Sequence, residues 1–231
     1  MKRSAKISLI IGGLLLGLAA FPVFGQDPVV PPSGVVNKRP LADFSDYVKD
    51  SLATKEVDLT APFSIEMEGY LTNDGKIDLT RTKFTRTDGN EQILRVVKTG
   101  IAAVGDSGYF KYLSALSDKT FHLSMVQDDA NFSLAIQSGL DSSRHAKTFE
   151  SLFKFYLSTE IEKKSRPEAA QNEKDDLALL KGASIASEGK RIIVKVSIPK
   201  SVIHEIIRRK LAASGRVPGM PNGMAENIRV L

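Results

Sequence analysis

The stretch FSIEMEGYLTNDGKIDLTRTKF, residues 63–84, decides how the chain is read. Phe63, Ile65, Met67, Gly69 and Leu71 alternate with polar or amphipathic neighbours, the period of two that turns one face of a strand toward a core. Asn73, Asp74 and Gly75 then supply turn chemistry, and Ile77 and Leu79 resume the alternation. The spacing predicts a β-hairpin with strands from about Ile65 to Leu71 and from Ile77 to Phe84.

Before this hairpin, Leu41, Phe44, Tyr47, Val48 and Leu52 fall on one stripe of a short helix. After it, Ile93, Leu94, Val96, Val97, Ile101 and Val104 give a second stripe, ended by Gly105 and Gly108. The same strand, strand, helix order then recurs. Phe121, Leu123 and Met125 alternate, Asp128 to Asn131 turn, and Phe132, Leu134 and Ile136 return. Ala146, Phe149, Leu152, Phe153 and Tyr156 form a helical stripe. Past a polar stretch from Ser165 to Lys174 and a short segment with Leu177, Leu179 and Leu180, Ile185 and Ala186 pair across Gly189 with Ile192, Val194, Val196 and Ile198. Pro199 suits the first turn of a last helix carrying Ile203, Ile206, Ile207 and Leu211. The units share an order without residue identity. An α+β fold follows, an antiparallel sheet of hairpins with helices packed on one face.

The ends have a different composition. Lys2, Arg3 and Lys6 precede an uncharged apolar run from Ile7 to Phe21, shorter than the roughly 20 residues of a spanning helix and closed by Pro22. Residues 1–25 therefore read as a secretory signal or membrane anchor, with Val23 and Gly25 fitting cleavage before Gln26 and a retained inner-membrane anchor as the alternative. Both expectations place the remainder in the periplasm or cell envelope. Residues 26–40, with Pro28, Pro31, Pro32 and Pro40, read as a linker, residues 41–213 as the globular region, and residues 214–231 as a flexible tail.

Composition is that of an ordinary globular chain, 42% hydrophobic and 26% charged. Loss of Lys2, Arg3 and Lys6 with the leader brings the formal net charge from +5 to +2, which implies no nucleic-acid partner. The chain has no cysteine, so the fold holds without disulfides and no lipoprotein anchor is attached.

Candidate chemistry dissolves on inspection. Gly105-Asp106-Ser107-Gly108 matches the nucleophile motif of chymotrypsin-like proteases, yet His122, His145 and His204 all follow Ser107, the wrong order for that family. A glycine-bounded helix end explains it better. His204-Glu205-Ile206-Ile207-Arg208 stops one residue short of the zinc motif HExxH, since Arg208 stands where the second imidazole would be. Gly182, Gly189 and Lys190 lack phosphate-loop spacing. His122 shares a strand face with Ser124, away from the apolar residues, and His145 begins a helix without neighbouring ligand types. No catalytic, cofactor-binding or metal-ligating residue is assigned, and the reading is of a protein that is not an enzyme.

The apolar segment Ile7 to Phe21, the linker Pro28 to Pro40, the hairpin joined through Asp74, Gly75 and Lys76, and the helix from Glu91 to Val104 together resemble the TonB energy-transducer family. The resemblance covers about residues 41–105, with residues 106–213 as further hairpin-helix units. It implies that family's carboxy-terminal fold and a role in protein contact with an envelope protein or extended peptide, and it assigns no functional residue. Separately, an open antiparallel sheet of hairpins leaves two edges, so strand addition at one of them is expected, with Arg81 and Lys83 guarding the second strand. A membrane contact stays open. A second reading is a periplasmic carrier of an apolar ligand or lipid, with Phe149, Phe153, Phe155 and Tyr156 as its wall. A serine hydrolase using Ser107 is the weakest third.

Overall fold

The computed structural model describes residues 37–108, 110 and 119–213. The expected signal or anchor, most of the expected linker and the expected tail lie outside the described residues. Among the described residues, no helix is long and apolar enough to cross a membrane.

The elements follow the order α1 (Arg39–Ala53), β1 (Phe63–Tyr70), β2 (Lys83–Gly89), α2 (Glu91–Asp106), β3 (Thr120–Gln127), β4 (Asn131–Gly139), α3 (Ser143–Lys164), α4 (Gln171–Lys181), β5 (Ala183–Glu188), β6 (Arg191–Pro199) and α5 (Lys200–Ala213). The six strands form one antiparallel sheet in the order β2-β1-β3-β4-β6-β5. The fold is α+β, as the periodicity implies. Sheet pairing runs straight across residue 105, because β3 lies beside β1.

Register places Ile65, Met125, Leu134, Val196 and Ala183 in one row across the sheet, and Met67, Leu123, Ile136, Val194 and Ile185 in the next. This is the face the helices cover. α1 and α2 pack on β1, β3 and β4; Phe153 of α3 packs on Ile185, Ile192 and Val194; Leu179 of α4 and Ile203 and Ile206 of α5 pack on Val196 and Ile198. The opposite face carries Glu66, Ser124, Ser133 and Lys195, with His122 exposed as expected.

Three local departures from the sequence reading have physical causes. Residues 77–82 are not strand: Leu71 pairs with Ile77 in one isolated bridge, after which the chain turns at Asp78 and β2 begins only at Lys83. Asp78 Oδ1 accepts from the Thr80 backbone N–H and hydroxyl, and its carbonyl accepts from Arg81 and Thr82 N–H groups, so a local Asx turn outcompetes the ladder. Ile77 instead packs against Gly105 of α2, where a Cβ would stand 2.9 Å from its side chain. Arg81, expected to guard a strand, lies in that turn with its guanidinium over the Tyr70 ring. Pro40, assigned above to the linker, sits in the first turn of α1, where its missing N–H costs nothing. Pro199 ends β6 opposite Asn131, and α5 starts one residue later. The turn at Gly75 stands as read, with φ +77° and Thr72 N–H donating to the Lys76 carbonyl at 2.9 Å.

Candidate functional site

The helix-covered side of the sheet lines a partly open cavity of about 170 Å3. Its floor is the middle of the sheet, Phe63, Leu123, Met125, Leu134 and Ile136, and its walls are α1, α2 and α5. Strand alternation supplies the floor and helical stripes supply the walls, so the lining is apolar because every element turns its core face inward. Among the described residues that line it, only Ser45, Gln127 and His204 have polar side chains.

Two of these three satisfy each other. Gln127 continues the buried row of β3, and its amide nitrogen donates to the carbonyls of Leu59 and Ala61, both at 2.8 Å. Both amide donors being committed, its oxygen faces His204 Nε2 at 2.9 Å and can only accept. The imidazole therefore donates through Nε2. Burial, then the Lys200 charge, holds the His204 pKa below its ordinary value, with Asp58 opposing, and the ring is neutral near pH 7. Gln127 thus latches β3, the loop before β1 and α5 together at one edge of the cavity.

Ser45 differs. It is 5% exposed, on the inner stripe of α1 between Leu41 and Val48, and its hydroxyl has no hydrogen-bond partner among the described residues. Helical serines often bond the carbonyl four residues back, and this one does not.

The residues singled out from the sequence are not brought together. Ser107 is buried at the end of α2 and its hydroxyl donates to the Val104 carbonyl at 2.5 Å. Gly108 takes φ +77° just beyond the helix, and Gly105 makes room for Ile77, so each glycine of the motif has a structural reason. His122 lies on the open sheet face and His145 is an exposed residue in the first turn of α3. Glu205 pairs with Arg209, which also reaches buried Asp175 of α4 at 2.5 Å. Among the described residues no group of three histidine, aspartate or glutamate side chains is placed to hold a metal ion.

The aromatic wall expected on α3 does not bound the cavity. Phe149 and Phe153 stack on each other over β5 and β6, and Phe155 is 73% exposed. The signal for the real cavity was subtler: Ser45 and Gln127 are polar residues in phase with otherwise apolar core faces. Comparison of the chain with protein-family models, with curated proteins and with solved structures finds no match in any of the three.

Proposed function

We propose that the protein is a non-catalytic carrier that binds a small apolar molecule in the cavity between the sheet and α1, α2 and α5. The cavity itself carries the reading. Its lining is almost wholly apolar, and a guest that covers this lining removes apolar surface from water. A cavity of about 150 Å3 lined by aliphatic and aromatic side chains takes up benzene or xenon, which sets the scale of the guest.

Benzene titration followed by the methyl resonances of Met125 and Ile136 tests this directly. Saturable shifts at both are expected, and Val97→Phe, which puts a ring into the cavity, should abolish them. Absence of saturable shifts at either methyl in the wild-type protein overturns the proposal.

A second reading, contact with an envelope protein by strand addition, is favoured by β2. This strand ends the sheet, and six of its seven residues are exposed. The TonB-like pattern of residues 41–105 supports the same use. Amide exchange across residues 83–89, measured with and without the envelope fraction of the source cell, tests it: an added strand slows exchange there, and unchanged exchange removes the reading.

A further inference from the structure

We propose that two copies of the chain join edge to edge through β2, antiparallel about a two-fold axis that passes between Thr85 and Arg86. The inference is independent of the carrier reading. It takes the edge that strand addition uses and assigns it a second copy of this chain.

The register shift in β2 sets the geometry. Glu66 of β1 faces Arg86 and Met67 faces Phe84, which leaves Thr85 as the extra residue of a bulge, opposing Glu66 together with Arg86. Alternation breaks at that point. Lys83, Thr85, Arg86 and Asp88 lie on the open face of the sheet, and Phe84 and Thr87 lie on the helix-covered face opposite Met67 and Ile65. From residue 83 to residue 88 the faces run open, covered, open, open, covered, open. This order reads the same from either end, so a second β2 turned about an axis normal to the sheet matches it face for face. A shift of one or two residues either way sets a covered-face side chain against an open-face one, so the bulge singles out one register.

Charge fits the same register. Lys83 faces Asp88 of the second copy, and the symmetry makes this contact twice. Both side chains belong to exposed residues, and neither forms an ion pair within the chain among the described residues. Arg86, the remaining charge of the strand, comes near its own copy at the axis, but it is already paired with Glu66 at 3.8 Å. Opposite charges directly across an antiparallel pair stabilise it and like charges destabilise it. On the covered face Phe84 meets Thr87 of the second copy, an aromatic beside a β-branched residue, a favourable cross-strand pair. Because β2 ends the sheet, its outward backbone groups are free to pair, and one symmetric contact uses this edge of both copies and closes the assembly at two.

Sedimentation equilibrium of the full chain measures the association, with Asp88→Lys and the double exchange Lys83→Asp with Asp88→Lys beside the wild type. Circular dichroism confirms that each variant folds. A contact of seven residues per copy is small, so a reversible equilibrium between monomer and dimer is expected. Asp88→Lys sets like charges across both pairs and should raise the dissociation constant about tenfold, and the double exchange should return it to within about threefold of the wild type. A chain that stays monomeric up to about 1 mM overturns the inference. So does a dimer that Asp88→Lys leaves unchanged, or one that the double exchange fails to restore. Diluted below the association range, β2 is a free edge and its amides exchange as those of the monomer. Amide exchange across residues 83–89 then identifies the occupant: slowing as the purified chain is concentrated supports the pairing, and slowing only when the envelope fraction is added assigns the edge to another protein and overturns it.

Discussion

The two outer strands of the sheet are treated in opposite ways. β5 is covered: α3 lies against it, Glu150 Oε2 accepts from the Ser187 backbone N–H at 3.1 Å and from its hydroxyl at 2.6 Å, and Lys154 donates to the other carboxylate oxygen at 2.6 Å. A side chain thereby occupies a backbone donor that would otherwise face outward. β2 is met by α2 at Phe84, whose ring lies 4.9 Å from Lys98 Nζ, and the rest of the strand is exposed. Its protection is of another kind, a register shift opposite Glu66 and Met67 and the cations Lys83 and Arg86, the latter paired with Glu66 across the open face. Bulges and edge charges discourage indiscriminate pairing without closing the backbone. At β5 a side chain holds an outward backbone donor, whereas at β2 the protection comes from a bulge and from charge.

The largest test of this contrast concerns the strand on which β2 hangs. A Cβ at Gly69 of β1 would stand 2.2 Å from the Phe121 ring, which fills that position across the strand pair and stacks on Phe110 with centroids 5.1 Å apart. Gly69→Ala should cost about 3 kcal/mol in urea unfolding, because a fully buried ring has nowhere to move. At the β5 end, Gly189→Ala meets no atom within 4 Å and strains only its positive φ of +60°, costing about 1 kcal/mol. Equal costs would mean that the ring yields and that the β2 end is softer than its packing implies.

A smaller effect belongs to the connection between β1 and β2. Gly75→Val should lower stability by about 1 kcal/mol or more, since a Cβ is penalised at φ +77°. Chemical shifts of β2 report whether the strand loosens with it. Unchanged stability would place the constraint in the second turn, at Asp78. The hydroxyl of Thr82 accepts from the Tyr70 N–H there, and its own N–H is bonded to the Asp78 carbonyl, so proline at Thr82 would break the turn and say nothing about the edge.

How far the fold was legible follows from which signals are local. Alternation gave β3 and β4 almost to the residue, because Asp128 accepts from Ala130 and Asn131 N–H groups and makes the turn where its residue type says it should. The same chemistry misled at residues 77–82: Ile77 and Leu79 alternate, but Asp78 and Thr80 bond each other and take the chain out of the ladder. α4 was only half visible through its leucines, since Asp175, bonded to Arg209 across 34 residues, anchors it through a contact no local period reveals. The cavity was hidden for the same reason. Ser45 and Gln127 stand in phase with apolar stripes on different elements, and only the packing of α1 and α5 over β3 brings them to one space.

The smallest expected effect isolates the seal on β5 by pH. The Lys154 ammonium first, and then the Ser187 hydroxyl, hold the Glu150 pKa down at about 2. A carboxylate depressed on folding contributes stability that is fully present above its unfolded value of about 4.3 and is lost as pH falls toward the folded value. Between about pH 4.3 and pH 2 the opened form takes up a proton while the closed form keeps its carboxylate, so opening of the Ser187 contact becomes progressively easier. Protection factors from hydrogen exchange, which remove the intrinsic pH dependence, should fall at Ser187 over that window while those of the neighbouring β6 amides hold. In Glu150→Gln the amide oxygen still accepts but carries no charge, so the dependence on pH should disappear and the protection at pH 6 should drop partway. β2 has no carboxylate of this kind on its outer amides among the described residues, and its protection should follow global stability alone. A matching acid transition at β2 would show that both edges respond to unfolding of the sheet as a whole, and the contrast between them would lose its basis.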